Sequence, residues 1–141
     1  MIECLENQLQ RTGQMKKNLK VYRMEMGMFD FAVRLVVGDY HEAVKYCGRF
    51  FNERDFVEYD ASINGGYVPR GKCFFKSGYV PVLWIPRVPK TPREHATFAH
   101  ECTHAVFHLF EWASLPVSRD TEEAFCHALA HLINGFSGKM K

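Results

Sequence analysis

Positions 100 to 104, His-Glu-Cys-Thr-His, constrain this chain more than any other stretch. Residues four apart on an α-helix lie one turn above each other on one face. His100 and His104 can therefore direct two imidazole nitrogens at a single metal ion. Glu101, the next residue round, can reach a water held by that ion and take its proton. The arrangement works only on a helix, and the flanking residues specify one. Thr91 suits the N-cap, Pro92 the first turn, and Glu94 the positive end of the helix dipole. Phe98, Ala99, Val106, Phe107 and Phe110 recur at helical spacing and predict a face packed into a core.

Zinc in a hydrolytic site takes three protein ligands and keeps a fourth position for water. A third ligand is thus expected outside the five-residue motif. After a loop from Ala113 to Asp120, a second helix opens at Thr121-Glu122-Glu123-Ala124-Phe125-Cys126-His127. Asp120 or Thr121 can cap it, and the acidic pair stands in its first turn, where it offsets the dipole with or without a metal.

The rest of the chain supplies a small sheet. Met28 to Val37 is rich in β-branched and aromatic residues and ends at Gly38-Asp39, which predicts a strand and a turn. Tyr40 to Phe51 places Ala43, Val44, Cys47 and Phe51 at helical intervals, with His41 on the exposed side. A loop through Asn64-Gly65-Gly66 follows. Gly71 to Lys76 and Val80 to Pro86 read as two short strands, and Pro81 and Pro86 place that pair at strand ends or a sheet edge. The order strand, helix, strand, strand, helix, helix implies an α+β domain with a small sheet beside the two C-terminal helices. Residues 1–27 read as an N-terminal extension, polar and weakly helical up to Lys20, and residues 28–141 as one domain.

Charge and cysteine content narrow the function. A net charge of +2 argues against nucleic acid or an anionic membrane as partner, and Lys16 to Arg23 is the one short basic cluster. No apolar run approaches the ~20 residues that span a bilayer. The N-terminus has no apolar signal core, and five cysteines at no framework spacing suit reduced thiols, so a cytoplasmic location is expected. Cys102 reads as packing rather than as a ligand or nucleophile.

Several blocks together resemble a known family: Trp84-Ile85-Pro86-Arg87 with Pro89-Lys90-Thr91-Pro92, then His100 to His104, then Asp120-Thr121-Glu122-Glu123-Ala124-Phe125. The chain resembles compact gluzincin-type zinc metallopeptidases, and most closely small H-E-x-x-H proteins encoded by bacteriophages and prophages, over roughly Phe29 to Gly135. It is more loosely similar to repressor-cleaving peptidases of the ImmA/IrrE type, which usually carry glycine where this chain has Thr103. The resemblance implies a minimal zincin-like domain, a zinc ion held by His100, His104 and Glu123, and Glu101 as general base. Glu123 is preferred to Glu122 because the family glutamate precedes a small residue. It also implies a host cytoplasm as the setting if the chain is phage-encoded.

His127, one turn after Glu123, could orient that ligand or donate a hydrogen bond to an oxyanion, or be an ordinary helix histidine. His108 and His131 read as polar groups at the helix interface. The expected activity is hydrolysis of a peptide or protein amide bond, with the substrate strand pairing with a sheet edge near Val80 to Ile85. The alternative is a non-catalytic, zinc-stabilised binding module closed by a fourth protein ligand such as His127 or Cys126.

Overall fold

The computed structural model describes residues 19–27 and 29–141. A four-stranded mixed sheet organises them, with the strands β1 (Lys20–Met26), β2 (Phe31–Val37), β3 (Lys72–Phe74) and β4 (Val82–Ile85) in the order β1-β2-β4-β3. β1 pairs antiparallel with β2, β2 parallel with β4, and β4 antiparallel with β3. Four α-helices flank the sheet: α1 (Tyr40–Phe50), α2 (Phe56–Asn64), α3 (Pro92–Trp112) and α4 (Glu122–Lys139). The expected α+β class is what the chain adopts.

Side-chain alternation along β2 and β4 divides the interior in two. Val33, Leu35, Val37, Leu83 and Ile85 face a core with Phe98, Cys102, Val106, Leu109 and Phe110 of α3 and Leu132 and Phe136 of α4. Val36, Val82 and Trp84 face the opposite core, with Ala43, Val44 and Cys47 of α1, Phe56 of α2 and Phe74 of β3. The two central strands are covered on both sides, which is why they read as near-continuous apolar runs.

Three expectations shift. Residues 20–26 fall within the segment assigned to the extension, yet they form edge strand β1, and Met26 is buried in the core. Their alternation is polar because an edge strand is only half covered; residues 1–18 lie outside the described residues. The stretch assigned to a loop after Phe51 contains α2, whose apolar residues do not form one clean stripe. Gly65 ends that helix in the left-handed conformation at φ 57°, as the Asn64-Gly65-Gly66 turn signal implied. Finally, β4 begins after Pro81 and ends before Pro86, but it is interior, flanked by β2 and β3. It has no open edge for a peptide. Among the described residues the outer strand on that side is β3.

Directions follow from the contacts. Gly71, Cys73 and Phe75 lie beside Glu101 and Thr97, Glu101, and His108 respectively, so β3 runs alongside α3 in the same sense. Glu25 and Met24 meet His131 and Gly135 in turn, so α4 runs opposite to β1. Given the strand pairing, α3 and α4 are antiparallel.

Candidate metal centre

The α3 start is built as its sequence implies. Thr91 accepts a hydrogen bond from the Glu94 amide at 3.2 Å, and the Glu94 carboxylate accepts one from the Thr91 amide at 3.2 Å, closing a capping box. Arg87 clamps the same carboxylate through Nε at 2.6 Å and a terminal guanidinium nitrogen at 3.1 Å. This Arg87 hydrogen bonding, ahead of the Thr91 contacts, holds the Glu94 pKa down at about 2. The clamp ties the Pro86 to Lys90 segment to the helix and so fixes where α3 leaves β4.

One turn pair further on, the predicted stripe is present. The Nε2 atoms of His100 and His104 stand 3.1 Å apart, and both side chains are exposed. Two imidazole nitrogens on one tetrahedral zinc, each about 2.0–2.1 Å from the ion, stand about 3.3 Å from each other. The pair therefore has the spacing and the donor chemistry that zinc requires of two ligands. Thr103 is turned away from them and bonds the Ala99 carbonyl at 2.8 Å.

Glu101 points to a different side. About 100° round from His100, it packs against β3, where only 8% of it is exposed. Burial pushes its pKa above the ordinary carboxylate range, while His100, His104 and a hydrogen bond donated by the Cys73 amide pull the other way. A partly desolvated carboxylate beside two imidazoles is a setting suited to proton transfer. Gly71 permits this close approach of β3 and α3. A Cβ there would lie 2.8 Å from Thr97 Cγ2 and 3.1 Å from Glu101 Cγ. The sequence reading singled out neither Gly71 nor Cys73; the glycine at a strand start was the one available signal.

Glu123 lies elsewhere. Phe125 contacts Phe107 and Phe110, with ring centroids 4.8 Å and 5.4 Å apart, which sets the register of the two antiparallel helices. At 1.5 Å per residue, the part of α4 level with His104 is near Leu129, and Glu123 is roughly 9 Å further along the axis. Its carboxylate is exposed and meets His127 Nε2 at 3.5 Å. The structure thus brings His100, Glu101 and His104 together, and pairs Glu123 with His127 at the surface. Among the described residues no three His, Cys, Asp or Glu side chains are gathered around one point. By helical rotation Glu122 stands about 60° from Phe125 and Glu123 about 160°, so Glu122 is nearer the side that faces α3.

The remaining histidines and cysteines occupy separate places. His108 stacks on Phe75 at 3.9 Å, and burial lowers its pKa. His131 Nε2 lies 2.8 Å from the Glu25 carbonyl, tying α4 to β1. Cys102 is fully buried on the core side of α3, and burial pushes its thiol up to about 12. Cys126 is exposed.

Beside the histidine pair is a cleft of about 470 Å³, bordered by Tyr67, Arg70 and Gly71 before β3 and by Arg93, Thr97, His100 and Glu101 of α3. Among the described residues no helix is long and apolar enough to cross a membrane. Comparison with protein-family models, with curated proteins and with solved structures gives no match to this chain.

Proposed function

We propose that the chain is a zinc-dependent peptidase acting on a peptide or protein amide bond, with Glu101 as general base. The observation that supports this most is the His100–His104 pair, 3.1 Å apart at Nε2, with the Glu101 carboxylate on the adjoining turn against β3. His100 and His104 would hold the ion, and the resemblance assigns the third position to Glu123, with His127 as its neighbour. When bound, zinc supplies Lewis acidity to the substrate carbonyl and lowers the pKa of a water. Glu101 then accepts the proton of the attacking water at its carboxylate and returns it to the departing nitrogen. An extended substrate would lie along the cleft between Arg70 and Arg93.

The test combines metal content with turnover. His100→Ala and His104→Ala are expected to lose stoichiometric zinc and the stability it confers on the native state. Glu101→Gln should keep zinc and fold but lose about 10²–10⁴-fold in hydrolysis of whichever peptide from a quenched-fluorescence library the parent cleaves. Equal cleavage by Glu101→Gln and parent would refute the mechanism. Zinc found with a fourth protein ligand would favour the binding-module reading instead.

A further inference from the structure

We propose that the cleft beside His100 selects a substrate bearing a carboxylate close to the scissile bond, and that Arg70 and Arg93 are the residues that bind it. The inference rests on the peptidase reading for what is scissile, but the binding it describes is measurable without turnover. Arg70 and Arg93 come from different elements, the turn before β3 and the first turn of α3, and they border the same cleft of about 470 Å³ next to His100 and Glu101. Both also border an adjoining cleft of about 230 Å³ with Arg87 and Glu94. That wall carries three guanidinium groups and one carboxylate besides Glu101. The carboxylate, Glu94, is committed to Arg87 through two hydrogen bonds. Among the described residues Arg70 and Arg93 have no ion pair.

Arginine stays protonated at any physiological pH, so these two charges are permanent. Concave walls of one sign focus the field and concentrate ligands of opposite charge. A guanidinium presents a planar fork matched to a carboxylate, which favours that group over a neutral amide of the same shape. Gly71 packs against Thr97, one turn on from Arg93, so Arg70 and Arg93 lie on the two sides of the same cleft. A second carboxylate in the substrate is not required. The acid can be an internal Asp or Glu side chain or a free C-terminus, and the test separates them.

Four fluorescein-labelled peptides of one sequence serve as probes: an amidated Gln peptide, its Glu counterpart, its Lys counterpart, and the Gln peptide with a free C-terminus. Their affinities for the full-length Glu101→Gln chain are measured by anisotropy at low and high salt, alongside Glu101→Gln/Arg70→Gln/Arg93→Gln. A charged hydrogen-bonded pair gives an expected preference of about tenfold for Glu or for the free C-terminus over amidated Gln. Lys should be weakest, and the preference should fall with salt. The triple variant should melt with its parent, because both arginines are exposed, and bind all four peptides alike. Preference for Glu alone identifies an internal acid, and preference for the free C-terminus alone a terminal one. Equal affinity for all four peptides, no binding of any, or a preference that survives in the triple variant would overturn the proposal. If the preference holds while the zinc-supplied parent chain hydrolyses nothing, the peptidase reading fails and only the binding of a carboxylate by Arg70 and Arg93 stands.

Discussion

Replacing Gly71 by alanine tests how tightly α3 is set against the sheet. The added Cβ would lie 2.8 Å from Thr97 Cγ2, 3.1 Å from Glu101 Cγ and 3.5 Å from the Trp84 carbonyl oxygen. Carbon atoms in contact prefer about 3.5–4.0 Å, so the first two must give way. Thr97 is on a helix, where its branched side chain has few rotamers, and Glu101 is buried against β3. Overpacking of this kind costs roughly 1–3 kcal/mol. Against it, Gly→Ala lowers unfolded-chain entropy and contributes about 0.4–1 kcal/mol of stability. The steric cost wins, leaving a net loss of roughly 0.5–2 kcal/mol, which for a chain of this size lowers Tm by about 2–8 °C. Thermal and urea denaturation of Gly71→Ala, Thr97→Ser and the double variant measures it, since Thr97→Ser removes the methyl group that the new Cβ meets. The glycine substitution should cost less in the Thr97→Ser background. An unchanged Tm for Gly71→Ala, or the same loss in both backgrounds, would refute the reasoning.

Asp60 is 5% exposed and accepts hydrogen bonds from the Tyr40 hydroxyl and the Lys72 ammonium, so Asp60→Ala removes an acceptor that both use. Lys72 reaches solvent in part, which puts the loss at about 2–4 kcal/mol in urea denaturation, and a loss below about 0.5 kcal/mol would show the network to be idle. Glu94 has its folded-state pKa lowered to about 2 by Arg87, so its charge stabilises the fold above the ordinary carboxylate range and that stabilisation is lost as pH falls toward 2. Glu94→Gln should therefore melt below the parent at neutral pH and converge on it in acid; a gap independent of pH would contradict this. In a chelator competition, Glu123→Gln is expected to weaken zinc binding more than Glu122→Gln, and the reverse order would mean that the rotation of α4 about Phe125, rather than the motif position, selects the ligand.

The histidine pair was legible because every signal for it is local. Cap, proline, capping-box glutamate and apolar spacing all lie within the one helix, and 3.6 residues per turn does the rest. The limits of β4 were legible for the same reason, since Pro81 and Pro86 bracket it. What lay beyond the sequence depends on partners distant in the chain. Strand β1 alternates Lys20, Val21, Tyr22, Arg23 and Met24 too mildly to announce itself, and only pairing with β2 makes it a strand. Helix α2 has buried Phe56 and Asp60 but no clean apolar face. The place of Glu123 relative to His104 is set by how Phe125 meets Phe107 and Phe110, and no spacing along the chain encodes that register.

β3 carries the consequence of these long-range choices, because three residues serve both sides of the sheet. Lys72 reaches Asp60 on the α1 and α2 side, Phe74 packs into that same core, and the Gly71 to Cys73 backbone stands against Glu101 of α3 on the other. Such a short edge strand has few ladder bonds of its own, so its position depends on these anchors. Loss of the Asp60 anchor is therefore expected to act on Glu101 without touching it, because the strand that the carboxylate packs against loosens. Gly71→Ala acts on the same carboxylate from the front, by crowding its Cγ. The two substitutions differ in what they leave intact, since the first spares the packing of Thr97 and the second spares Asp60. If the proposed activity depends on Glu101 packed against β3, both are expected to lower it while leaving any metal binding by His100 and His104 unchanged, because neither reaches the outer face of α3 where the two imidazoles stand.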